Sequence, residues 1–139
     1  MAQESPTPPI LVVEDSAEIR QSLEWLLRVD GFAVVTAVHG ADALRKLQAG
    51  LRPCLILLDL QMPEMDGFEF RKLQLQAPQL AHIPVVVYAD TKDPEAVTKQ
   101  LQAAAFVRKP LDLDTLLAVV EKYCKKSLTS SPSRFKRAS

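Results

Sequence analysis

The 139 residues make one domain's worth of chain, and 47% hydrophobic with 24% charged residues is the balance of a globular protein with a full core. The zero net charge hides an asymmetry: residues 1–124 carry 12 Lys+Arg against 17 Asp+Glu, a net of −5, and residues 125–139 carry five basic residues and no acid. Such a body offers no broad basic surface for nucleic acid, and no apolar run approaches the ~20 residues that span a bilayer.

From the start, residues 1–8 are polar and Pro-rich, and a disordered lead-in is expected there. They lack the basic start and apolar segment of a secretory leader, so a soluble cytoplasmic protein is expected. Ile10-Leu11-Val12-Val13 is a continuous apolar run, the pattern of a strand buried on both faces, and it ends in Glu14-Asp15. Asp15-Ser16-Ala17-Glu18 has capping-box spacing and opens a helix with Ile19, Leu23, Leu26 and Leu27 on its apolar stripe; Gly31 stops it. Trp25 lies off that stripe and is expected to be partly exposed.

Residues 32–37 are strand-like, and residues 40–49 helical with Ala43, Leu44 and Leu47 on one face. Leu55 to Leu58 is a second four-residue apolar run, and it delivers Asp59 at its C-terminal end. Pro63 and Gly67 fix a turn, and Asp66-Gly67-Phe68-Glu69 caps a helix reaching about residue 76. His82 and Pro84 mark a loop before the strand at 85–88. Asp93-Pro94-Glu95 opens a helix to about residue 103, residues 105–108 form a fifth strand, and Asp112 caps a last helix with Leu113, Leu116, Leu117, Val120 and Cys124 on its face. Cys54 and Cys124 sit in apolar or helical contexts without metal-ligand spacing, and free buried thiols are expected. Residues 127–139 are Ser-rich and basic, a disordered tail or the start of a linker. The domain proper is thus expected over 9–126.

Five alternations of strand and helix imply a doubly wound α/β fold around a parallel sheet, with right-handed crossovers. In such a sheet the strand C-termini share the rim where ligands bind. Three of them hold charge: Glu14-Asp15, Asp59 and Lys109. A lone aspartate there is as often a turn cap as a functional group, but a cluster needs more explanation. Like charges ~4 Å apart repel by about 4 kcal/mol at an effective dielectric near 20. A hard divalent cation such as Mg²⁺ resolves that conflict, and one ammonium beside it suits an oxyanion. The site looks built for a phosphoryl group, with Asp59 the nucleophile.

Five pieces of the chain together resemble the receiver domain of two-component response regulators, the CheY-like family. They are Val12-Val13-Glu14-Asp15 with Ile19-Arg20, Ala37 through Leu44, Asp59 to Gly67 (D-L-Q-M-P-E-M-D-G), Ile83-Pro84-Val85-Val86-Val87, and Phe106-Val107-Arg108-Lys109-Pro110. The resemblance implies a flavodoxin-like (βα)5 sandwich with strand order 2-1-3-4-5. It implies that Asp59 accepts a phosphoryl group from a histidine kinase or phosphotransfer protein. Glu14, Asp15, Asp59 and the backbone carbonyl of Gln61 would hold Mg²⁺, with Mn²⁺ as a substitute. Lys109 would pair with Asp59 and then with the phosphoryl oxygens, and the Lys109–Pro110 bond would be cis. The output would leave through the fourth helix, fifth strand and fifth helix, toward a protein partner or an output domain; a homodimer is left open. No nucleic acid or membrane is expected to bind this domain itself.

The pattern breaks at Ala89, where the family places Thr or Ser, so one hydrogen bond to the phosphoryl group is missing. Thr91 is a substitute only if the strand runs on. Phe106 takes the place of the switch aromatic and, lacking a hydroxyl, is expected inward. An interaction module that docks partners without phosphorylation is the alternative. An Asp-nucleophile phosphatase is disfavoured, because Gln61 stands where its second carboxylate would be.

Overall fold

In a computed structural model of the chain, residues 7–62 and 65–126 are described. The expected basic tail, most of the lead-in and the turn at Pro63 lie outside them. Strands and helices alternate as β1 (Ile10–Val13), α1 (Ala17–Val29), β2 (Val34–Ala37), α2 (Gly40–Gln48), β3 (Leu55–Asp59), α3 (Gly67–Gln76), β4 (Val85–Ala89), α4 (Pro94–Leu101), β5 (Ala105–Arg108) and α5 (Leu113–Tyr123). All pairings are parallel, in the order β2-β1-β3-β4-β5. This is the strand order that the resemblance implies.

The apolar runs behave as a doubly covered sheet demands. Every residue of β1, β3 and β4 is buried. Successive side chains alternate between two cores. Leu11, Val13, Ile56, Leu58, Val85 and Val87 join Leu44, Leu47 and Phe70 beneath α2 and α3. Ile10, Val12, Leu55, Leu57, Val86 and Tyr88 join Leu23, Leu27, Leu116, Leu117 and Val120 beneath α1 and α5. Each fully buried Leu or Ile contributes roughly 1.5–3 kcal/mol of transfer free energy.

The helix starts are set by short polar side chains. Asp66 accepts from the Glu69 N–H at 2.9 Å and Asp93 from the Ala96 N–H at 3.1 Å, as their spacing predicts. At α1 the cap is Ser16, whose hydroxyl accepts from the Ile19 N–H, and not Asp15. That one-residue correction leaves the Asp15 carboxylate free for the rim. Asp112 precedes α5 but makes no side-chain cap bond; its carboxylate accepts from the Thr115 hydroxyl instead. Trp25 is exposed, as its place off the stripe requires, and Ile19 is more exposed than its place on the stripe suggests.

The expectation of free thiols is overturned. Cys54 and Cys124 form a disulfide across a sequence separation of 70 residues, and no free cysteine remains. Cys54 lies just before β3, and α5 runs back antiparallel to the strands, so its end returns to the strand entry points. The fold thus joins two positions that the linear text holds far apart. The bridge sits at the opposite end of the sheet from Asp59.

Candidate functional site

Parallel strands bring every strand C-terminus to one rim, and the register decides who meets there. Val13 pairs with Leu58, so one step further Glu14 lies beside Asp59; Asp59 pairs with Tyr88. Lys109 follows β5, its N–H donating to the Ala89 carbonyl at 3.0 Å. Glu14, Asp15 and Asp59 each bring a carboxylate oxygen within 4.8 Å of the others. The Lys109 ammonium donates to Asp59 Oδ1 at 3.0 Å, and the Gln61 N–H reaches the same oxygen at 3.3 Å. The Lys109–Pro110 peptide bond is cis.

Burial makes these contacts count. Asp59 and Glu14 are each only 2% exposed. Glu14 Oε2 accepts from the Ser16 N–H at 3.0 Å, while its Oε1 is buried and has no partner. Arg20 reaches back from α1 to donate to the Glu14 carbonyl at 2.9 Å, pinning the turn that presents both acids. On the other side of Asp59, Gly67 lets α3 start close to β3. A Cβ there would lie 2.7 Å from the Leu60 side chain and 3.0 Å from the Asp59 carbonyl oxygen.

A buried carboxylate oxygen without a partner, flanked by two more carboxylates, fits a hard divalent cation: all its donors are oxygens, two are buried, and their charges repel unless neutralised. The residues available to hold one are Glu14, Asp15 and Asp59.

A family model for the response regulator receiver domain matches residues 10–121. The chain belongs to that family. It is 31% identical over 130 residues to the transcriptional regulatory protein GlrR of Escherichia coli, covering 93% of this chain and 29% of GlrR. The chain therefore spans about three-tenths of that relative's length. It is 31% identical over 124 residues to Protein PilG of Pseudomonas aeruginosa, covering 87% of this chain and 90% of PilG. Among solved structures, chemotaxis protein CheY4 of Vibrio cholerae superposes with a TM-score of 0.76 at 33% identity, over 84% of this chain and 98% of that one.

Receiver domains are signalling switches, and the charges of this one's site are tuned by its surroundings. Burial raises the Glu14 pKa from 4.5 to about 7, aided by the charge of Asp59 and opposed by the Ser16 N–H bond. Burial pulls the Lys109 pKa down, but the hydrogen bond and charge of Asp59, with Glu14, outweigh it and raise the value. Lys109 is therefore held as an ammonium.

A raised carboxyl pKa fixes a sign. The stability that goes with protonated Glu14 is fully present below about pH 4.5 and is lost as pH rises through about 7. In chelator, Glu14→Gln is expected to melt above wild type at pH 8, by about 1–2 kcal/mol, with the difference vanishing toward pH 5. Adding millimolar Mg²⁺ should raise the wild-type midpoint more than the variant's. Thermal melts at both pH values check this, and a pH-independent difference would contradict it.

The breaks in the family pattern are equally concrete. Ala89 ends β4, buried and without a hydroxyl. Thr91 does not continue the strand: its hydroxyl accepts from the Asp93 N–H at 3.3 Å, and its carbonyl accepts from Arg108 at 3.1 Å. Phe106 is half-buried, packed with Val97 and Ala103 against the core beneath α2 and α3, and it also lines a surface pocket along α4. Gln61 is exposed beside Asp59. Two further residues bear on the site without a signal in the sequence: Ser16, whose contacts to Glu14 and Ile19 are local, and Tyr88, whose neighbour Lys109 only the fold places beside it.

Proposed function

We propose that this receiver domain accepts a phosphoryl group on Asp59 from the phosphohistidine of a histidine kinase or phosphotransfer protein, in a Mg²⁺-dependent reaction. The observation that carries it is the Lys109 ammonium 3.0 Å from Asp59 Oδ1, with two further acids within 4.8 Å. An Asp59 oxygen attacks phosphorus, the P–N bond breaks, and its electron pair leaves on the imidazole. Lys109 then moves its hydrogen bond to the transferred oxygens, whose charge its raised pKa suits it to meet. Glu14, Asp15, Asp59 and the Gln61 carbonyl would hold Mg²⁺, which would supply charge neutralisation at the phosphoryl oxygens. Water attacking phosphorus in line breaks the acyl P–O bond and returns Asp59 with release of phosphate. Exposed Gln61 borders that approach.

The signal leaves through α4, β5 and α5, toward a protein partner or an output domain, in the cytoplasm. No helix among the described residues is long and apolar enough to cross a membrane. Ala89 favours one second reading, a module that docks partners without being phosphorylated. Incubation with Mg²⁺ and acetyl phosphate separates the two. Intact mass should gain one phosphoryl group in wild type and none in Asp59→Asn. A wild-type protein that stays unmodified would move the assignment to the docking module.

A further inference from the structure

Tyr88 lies in register with Asp59, on the neighbouring strand and on the same face of the sheet. Its side chain is 5% exposed, packed among the residues beneath α1 and α5. An aliphatic residue would fill that core. What the aromatic ring adds is a face, and over that face stands the Lys109 ammonium, 4.9 Å from the ring centroid. The ammonium is thus held on two sides, by the Asp59 carboxylate at 3.0 Å and by the electron-rich ring.

We infer that Tyr88 is a positioning residue for phosphoryl transfer: its ring face holds the Lys109 ammonium at Asp59, ready for the oxygens of the incoming group. The inference rests on Asp59 being the phosphoacceptor. It bears on rate because Ala89 supplies no hydroxyl, leaving more of the transferred charge to Lys109. A flexible four-carbon stem places its charge poorly unless something restricts it, and a ring packed into the core does so at no cost in mobility of its own.

The 139-residue chain tests this through three variants. Tyr88→Leu removes the ring, Tyr88→Met is a second ring-free replacement in case leucine disturbs folding, and Tyr88→Phe keeps the ring without the hydroxyl. With saturating Mg²⁺ and acetyl phosphate, the ring-free variants should phosphorylate about three- to tenfold more slowly, while Tyr88→Phe stays within about twofold of wild type. The ε-methylene protons of Lys109 should be shifted upfield by the ring in wild type and Tyr88→Phe, and return to ordinary positions in Tyr88→Leu. A purely structural role would instead show as a lowered unfolding midpoint, with folded Tyr88→Leu and Tyr88→Met taking up phosphoryl groups at the wild-type rate. Ring-free variants as fast as wild type overturn the inference, as does a Phe variant as slow as Leu. No uptake by wild type would instead count against the phosphoacceptor reading itself.

Discussion

Reducing the Cys54–Cys124 bridge should lower the unfolding free energy by about 4 kcal/mol, the loop-closure value for a closed loop of this length. The separation of 70 residues is what makes the effect large, since a long tether removes much freedom from the unfolded chain. Locally, the bridge fastens the end of α5 to the entry of β3. Without it, α5 is held by Leu116, Leu117 and Val120, by the Cys124 side chain as a small hydrophobe, and by an ion pair from Lys126 to Asp30 at 3.4 Å. Urea unfolding with and without reductant measures the difference, with thiol titration confirming the redox state. A Cys54→Ser, Cys124→Ser double variant should match reduced wild type and ignore reductant. Because the bridge lies at the far end of the sheet, phosphoryl uptake should be unchanged in all of them. Identical midpoints for oxidised and reduced protein would show that the bridge contributes nothing. In any compartment where glutathione keeps thiols reduced, the chain would work nearer its lower stability.

What the sequence made legible follows one rule: features set by near neighbours in the chain were readable, and features set by convergence were readable only in part. The runs at 10–13, 55–58 and 85–87 announce doubly buried strands because nothing polar interrupts them. Asp66 and Asp93 declare helix starts three residues ahead of the N–H groups they accept from. The gathering of Glu14, Asp15, Asp59 and Lys109 was readable because parallel strands send their ends to one rim. The disulfide was not, since α5 must turn back before Cys124 meets Cys54, and no local pattern states where a helix will end in space. Nor was Tyr88: an aromatic inside an apolar run reads as core, which it is, and its second contact belongs to a residue 21 positions away. The Asp15 cap failed for a subtler reason. Asp and Ser cap helices comparably well, and the choice between adjacent candidates depends on what else the first one is needed for.

Replacing Arg71 by Met should cost about 3 kcal/mol and loosen α4 more than any other helix. Arg71 is an arginine in mid-helix, which on paper belongs on a solvated face, yet it is 5% exposed and the neighbouring Gln74 is fully buried. Its Nε donates to the Leu101 carbonyl at 2.9 Å and its Nη2 to the Gln102 carbonyl at 2.8 Å, the last turn and C-cap of α4. Nη1 donates to Gln74 Oε1 at 2.7 Å, and the Gln74 amide donates in turn to the carbonyls of Leu80 and Ile83. One guanidinium thus satisfies the end of α4 and, through Gln74, the loop that feeds β4. Burial lowers its pKa, but the value of an arginine starts so high that the charge persists. Met fills the volume and removes the charge, so no ion is stranded. Two carbonyls and one amide oxygen lose their donor, each at roughly 1–3 kcal/mol when buried, less whatever water recovers. Because α4 belongs to the proposed output face, the consequence reaches function: the C-terminal end of α4 should depend on Arg71, while its start is held separately by the Asp93 cap and the Arg108 bond to the Thr91 carbonyl. Hydrogen exchange should then accelerate in α4 of Arg71→Met while α2 keeps its protection, with phosphoryl uptake at Asp59 little changed. Uniform acceleration across all helices would show global destabilisation and remove α4's special dependence on Arg71.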